Sequence, residues 1–88
     1  MAWNATIELF IEWPNPEAGK PRWSFGDRTL SAYGATQKLA KERLGDLLVT
    51  VCQDSARAKL YIKDWPDKGR VASANLAAIK LTRTADGG

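Results

Sequence analysis

A stretch near the amino terminus alternates apolar and polar side chains. From Trp3 to Trp13 every odd position is apolar. The even positions are Asn4, Thr6, Glu8, Phe10 and Glu12. A period of two is typical of a half-buried β-strand, because a pleated strand sends successive side chains to opposite faces. We therefore expect an extended first strand whose odd-numbered face supports a helix, which requires a fold that combines sheet and helix.

The chain has 88 residues, of which 44% are hydrophobic and four are Trp. A chain of this length forms one hydrophobic core, so we expect a single domain over 1–88, with 85–88 as a frayed tail. The single Cys52 excludes an intramolecular disulfide and favours a reducing compartment. With neither a basic leader nor an apolar run of membrane-spanning length, the sequence predicts a cytoplasmic protein without membrane contact.

Pro and Gly residues mark the ends of the predicted elements in the middle of the chain. Three prolines between Pro14 and Pro21 predict a loop, because Pro lacks the backbone donor that a helix or ladder needs. Arg22–Gly26 then alternates in the manner of a short second strand. An apolar stripe predicts a helix over Ala32–Leu44, ended by Gly45 in a left-handed conformation.

The pattern of the second half of the chain predicts β-strands. Leu47–Gln53 and Arg57–Trp65 predict a hairpin, and Pro66–Gly69 predicts a turn. Residues 70–84 fit either a helix, through their Ala content, or strand, through alternation near the end; we favour strand. The predicted fold is α+β, a two-layer sandwich with one helix packed on an antiparallel four- or five-stranded sheet, in the order β-β-α-β-β-β.

The composition offers little for catalysis. The chain has no His, which removes the commonest general base and metal ligand. Cys52 would lie in a strand among apolar residues and pack as a small hydrophobe. The carboxylates form no cluster with metal-ligand spacing, and the glycines form no phosphate-binding loop. We therefore expect no enzyme activity, no cofactor and no metal.

The net charge of +3 is concentrated in one segment, since Arg57–Arg70 holds five basic and two acidic side chains. In the predicted hairpin, alternate residues of this segment share one sheet face and continue around the following turn. The candidate binding residues are Arg57, Lys59, Tyr61, Lys63, Trp65, Lys68 and Arg70. Trp65 is expected to be exposed, whereas Trp3, Trp13 and Trp23 are expected in the core or at its rim.

Several interpretations of this basic face stay open. Tyr, Trp and Arg suit a protein interface, and alternating cations and aromatic rings suit single-stranded nucleic acid. If Glu8 and Glu12 lie opposite Lys59 and Lys63, the face is instead an ordinary ladder of charge pairs exposed to solvent. A structural role, in which an exposed edge strand mediates self-assembly, is a further alternative.

Three segments together resemble small phage-encoded anti-CRISPR proteins in their layout. They are Thr29-Leu30-Ser31 at a helix start, the helical Gln37-Lys38-Leu39-Ala40-Lys41-Glu42, and the basic strand Lys59-Leu60-Tyr61-Ile62-Lys63. The similarity spans roughly residues 29–65. It implies a non-enzymatic inhibitor that occupies a surface on a host protein or nucleoprotein complex, in the host cytoplasm, often where that complex holds nucleic acid.

Overall fold

The computed structural model describes residues 2–17, 19 and 21–84, so the predicted tail at 85–88 lies outside the described residues. The described chain is α+β, with an antiparallel four-stranded sheet and two helices. In chain order the elements are β1 (Ala2–Pro14), β2 (Trp23–Gly34), α1 (Gln37–Gln53), a 3-10 turn (Ser55–Arg57), α2 (Ala58–Tyr61), β3 (Arg70–Ala74), a second 3-10 turn (Leu76–Ala78) and β4 (Lys80–Thr84).

The predicted first strand is confirmed as β1, and every other described strand pairs with it. Along one edge β2 pairs with β1 from Trp3↔Gly34 to Pro14↔Trp23. Along the other edge β3 pairs with residues 9–12 and β4 with residues 2–6. These two short strands therefore lie end to end, as one strand position interrupted by the second 3-10 turn.

The core lies on the odd-numbered face of β1, as predicted, and α1 packs against it. The hydrophobic residues with at most 8% exposure come from β1, β2, both helices and the segment after α2. They are Ala5, Ile7, Leu9, Ile11, Leu30, Ala32, Ala40, Leu44, Val51, Ala58, Ile62 and Trp65. No helix in the described part of the chain is long and apolar enough to cross a membrane.

The predicted boundaries of the main helix are wrong. Residues 32–34 extend β2, and the helix runs from Gln37 to Gln53, capped by the Thr36 hydroxyl, which accepts from the Leu39 amide at 3.1 Å. The predicted strand Leu47–Gln53 is therefore helical. The helical stripe of Ala40, Leu44 and Val51 continues through Gly45, and burying it outweighs the roughly 1 kcal/mol cost of an internal Gly.

The predicted strand Arg57–Trp65 is also wrong, because this segment forms a 3-10 turn, α2 and a loop. Its buried residues are Ala58, Ile62 and Trp65, which follow helical spacing. Leu60, which the two-residue alternation placed inside, is 76% exposed. Two strands, β3 and β4, thus follow the helix instead of the predicted three.

The strand interpretation of residues 70–84 is confirmed, apart from the break at the second 3-10 turn. The turn before β3 is confirmed as well, since the Gly69 amide donates to the Pro66 carbonyl at 3.0 Å. The positive φ of this turn falls on Lys68, at 59°. The predicted short second strand is wrong in length, because β2 continues for 12 residues.

Candidate functional site

The predicted binding residues do not share a sheet face. Arg57 lies in a 3-10 turn, Lys59 and Tyr61 in α2, and Lys63 in the following loop. Lys68 lies in the turn before β3 and Arg70 opens β3. Trp65, which we expected to be exposed, is only 8% exposed and packs in the core. The predicted sheet face with an exposed Trp65 therefore does not form, although Lys59, Trp65 and Lys68 line one shallow pocket.

Carboxylates also hold three of the predicted cations. The described ion pairs are Arg57–Asp54 at 3.5 Å, Lys59–Asp67 at 3.7 Å and Arg70–Glu12 at 2.5 Å. The predicted ladder of Glu8 and Glu12 with Lys59 and Lys63 is wrong, because β1 pairs with β2, β3 and β4 and not with residues 57–65. The segment's excess positive charge is thus partly neutralised, but by other partners.

A different surface collects exposed aromatic rings. Residues directly opposite each other in an antiparallel ladder share a face, so the even residues of β1 and the odd residues of β2 lie on the sheet face away from α1, here called the open face. Phe10, Trp23 and Phe25 lie on it, exposed by 43%, 37% and 54%. All three rings are therefore partly open to solvent.

Phe10 and Phe25 stack on each other. Their ring centroids are 5.7 Å apart and their planes differ by 2°. Phe25 lies opposite Glu12 and Phe10 opposite Asp27, so the two rings are diagonal neighbours across the β1–β2 ladder. Offset stacking of this kind holds both rings in one orientation while leaving an outer ring face available for contact.

Arg70 adds a fixed cation beside these rings. Its Nε donates to Glu12 Oε1 at 2.5 Å, and its guanidinium carbon lies 5.0 Å from the centroid of the Trp23 ring. Glu12 and Arg70 lie opposite each other in the β1–β3 register, which brings together residues far apart in sequence. We call Phe10, Trp23, Phe25 and the Glu12–Arg70 pair the aromatic patch.

The charges around the aromatic patch are mixed and slightly acidic. By the strand registers, the open face carries the carboxylates of Glu8, Glu12 and Asp27 and the cations of Arg70 and Lys80. Since Arg70 is paired with Glu12, phosphate approaching the Phe10–Phe25 stack would meet Glu8 and Asp27 first. A nucleic-acid site requires cations that lack a carboxylate partner, and Arg70 does not meet this requirement.

The aromatic patch was not predicted from the sequence, although one signal for it was present. Phe10 is the only apolar residue among the even positions from Asn4 to Glu12, so it lies on the face that the alternation predicts to be exposed. Trp23 was expected in the core or at its rim because Trp23 and Phe25 alternate with Arg22 and Ser24, which predicts an apolar strand face. In the full β2, Leu30 and Ala32 point inward, so residues 23 and 25 point outward.

The remaining candidates are structural or exposed. Trp3 and Trp13 are half-buried at the core rim, as predicted, and Arg83 and Arg28 lie over their rings, each at 5.6 Å. Cys52 is exposed in the last turn of α1, so the prediction that it packs within a strand is wrong. No group of three or more potential metal ligands occurs among the described residues.

No protein-family model matches this chain, and neither the curated proteins nor the solved structures contain a match.

Proposed function

We propose that this chain is a small non-enzymatic binding protein that acts by contact, with the aromatic patch as its docking surface for another protein. One observation carries the proposal: three exposed aromatic rings lie on the open face beside an arginine held by both Glu12 and Trp23. Because Arg70 is already fixed, it loses little conformational freedom when a partner binds.

The aromatic patch has the composition that is typical of the centre of a protein–protein interface. Trp, Tyr and Arg dominate the binding energy of protein interfaces, and each aromatic ring brings about 150–250 Å² of contact area. The Glu12–Arg70 pair lies beside the rings, where it supplies a directional polar contact and orients the partner. The helix surface with Lys38, Lys41 and Glu42 is exposed and lacks any aromatic ring, so it is the weaker candidate.

Within this class we propose the finer role of a phage-type inhibitor of a host defence complex. This role is supported by the resemblance of residues 29–65 to anti-CRISPR proteins in the order of their segments. The individual elements differ from that layout, since Thr29–Ser31 lies in β2 and Lys59–Lys63 is largely helical. A host complex that the chain captures should be lost when the aromatic patch is altered, and retained when Lys38 and Lys41 are altered.

Substituting Phe10 and Phe25 together by Thr should abolish partner binding while the fold persists. Thr favours strands, and both positions are exposed, so we expect a change in the free energy of unfolding of at most about 1 kcal/mol. The measurement is selection of binders from a displayed library of natural protein fragments. Affinities are then measured for wild type and for the F10T/F25T variant, and we expect a loss of about 30-fold or more.

The matched control for this experiment is Leu60→Ser. Leu60 is more exposed than Phe10 or Phe25, and it lies on α2, away from the aromatic patch. We expect selected fragments to bind L60S as tightly as wild type. Selected fragments that bind F10T/F25T with wild-type affinity, or that lose affinity equally for L60S, would contradict the proposed docking surface.

Single-stranded nucleic acid should bind weakly or not at all. Because Glu8 and Asp27 lie beside the stacked rings, we expect a labelled oligonucleotide of about 20 nucleotides to show no saturable binding in fluorescence anisotropy at low salt. Tight binding that weakens steeply with added salt, and that is lost in F10T/F25T, would instead establish the nucleic-acid alternative.

A further inference from the structure

The outer edge of β2 is a second surface, which adjoins the aromatic patch at Phe25. β2 lies at the end of the sheet, with β1 on its inner side. It is 12 residues long, and none of the described strands pairs with its outer side. A long edge strand presents a row of backbone donors and acceptors to any strand that aligns with it.

Three hydrogen bonds show which backbone groups point outward. The Arg22 carbonyl points toward β1, since it accepts from the Asn15 amide at 2.8 Å. The Asp27 and Tyr33 carbonyls are on the outer side, where Arg28 and Arg43 donate to them at 2.7 and 3.0 Å. Because both backbone groups of one residue point the same way in an antiparallel strand, the odd residues of β2 supply the outer edge.

We propose that β2 pairs antiparallel with β2 of a second copy of this chain, with Thr29 on the two-fold axis. An axis at Asp27 or Arg28 would place that residue opposite itself and oppose like charges. An axis at Leu30 would leave a shorter ladder. With Thr29 on the axis, residues 25–33 of both copies pair, and no charged residue opposes one of like sign.

The side chains fit this register on both faces of the joined sheet. On the open face, Phe25 of each copy lies opposite Tyr33 of the other, which extends the aromatic patch across the axis. On the helix side, Gly26 lies opposite Ala32 of the other copy. A groove of about 380 Å³ lies there between β2 and α1, with Leu47 in its wall. Gly26 presents no side chain of its own to Ala32, and the Trp13 ring and the Arg28 guanidinium lie over it on this side.

The hydrogen-bond balance favours pairing. Each copy gives up the two bonds that Arg28 and Arg43 make to the edge carbonyls. Residues 25–33 of the two copies form about ten ladder bonds in return, since each directly paired set of outward residues exchanges two. Arg28 keeps its Nε bond to the Asp64 carbonyl at 2.9 Å and its position over the Trp13 ring, and the exposed Arg43 turns to solvent, so neither guanidinium is left buried without a partner.

Cysteine cross-linking tests the register. In a Cys52→Ser background, Thr29→Cys places two thiols across the axis with Cα atoms about 5.5 Å apart, within disulfide range. Ser31→Cys is the matched control, because its two copies lie about 14 Å apart along the antiparallel strands. Under mild oxidation we expect a covalent dimer from T29C and monomer from S31C. The register would be overturned if T29C and S31C cross-linked equally, or if neither variant cross-linked.

A proline variant tests the pairing itself. Thr29→Pro removes an outward amide and leaves the β1–β2 ladder intact, whereas Thr29→Ala keeps that amide. By light scattering over a dilution series, we expect wild type and T29A to show twice the protomer mass of 9.7 kDa. The loss of central bonds should weaken T29P dimers by about 100-fold, with an unchanged circular dichroism spectrum. A monomeric wild type, or a T29P variant that dimerises as tightly as T29A, would overturn the proposal.

Discussion

Replacing Gly34 by Ala should destabilise this protein severely, whereas replacing Gly45 by Ala should stabilise it. A Cβ at Gly34 would lie 2.5 Å from the Ala40 amide nitrogen and 2.8 Å from the Leu39 carbonyl carbon. These are backbone atoms of the first turn of α1, so relief requires the helix to move off β2. We expect a loss of about 3 kcal/mol, at the upper end for overpacking.

Gly45→Ala is the control, because we expect it to change the free energy of unfolding in the opposite direction. It lies inside α1, and a Cβ there would meet nothing within 4 Å. We expect Gly45→Ala to raise the free energy of unfolding by about 1 kcal/mol, since Ala has the higher helix propensity. Urea denaturation of both variants measures the two values. Destabilisation by G45A would indicate the left-handed helix end that the sequence predicted, and a neutral G34A would contradict the close helix–strand contact.

Substituting Trp65 by Ala should cost about 3–5 kcal/mol in stability, the range for truncating a buried aromatic residue. Trp65 packs in the core with Ala58 and Ile62, and its ring lies so close to Gly69 that a Cβ there would be 3.0 Å from the indole nitrogen. Truncation leaves a cavity beneath the turn at 66–69, where the backbone already adopts a positive φ at Lys68.

Tyr61→Ala is the matched comparison for Trp65→Ala. Tyr61 belongs to the same segment but is 45% exposed, so we expect its truncation to change the free energy of unfolding by less than about 1 kcal/mol. Thermal melts followed by circular dichroism separate the two variants. Equal, small effects would instead mean that Trp65 is an exposed binding residue, as the two-residue alternation suggested.

The parts of the fold that were predictable depended on one dominant signal. In β1 the alternation spans the whole strand and agrees with burial at Ile7, Leu9 and Ile11. In α1, Gly45 and the β-branched Val49 and Val51 carry local signals against a helix. Tertiary burial of one helical face overrides them, and single-sequence propensity does not contain that information.

The aromatic patch was less predictable, because it depends on which strands are neighbours. Glu12 and Arg70 are 58 positions apart in sequence and meet only because β3 pairs with β1. Phe10 and Phe25 stack because the register of β1 against β2 makes them diagonal neighbours. Neither relation is contained in the composition or periodicity of one segment. The alternation in β1 already places Phe10 on the solvent-facing side. Its part in the aromatic patch depends on Phe25 and Arg70, which only the strand pairing brings close to it.

The central position of β1 has a consequence for synthesis of the chain on the ribosome. One edge of β1 finds its partner as soon as β2 emerges, but the other edge pairs only with β3 and β4, at residues 70–84. At bacterial and eukaryotic translation rates, this edge waits about 3–10 seconds after β2 is complete. During that interval the nascent chain presents unpaired strand backbone to its neighbours on the polysome, which makes translation the stage at which this protein is most exposed to aggregation.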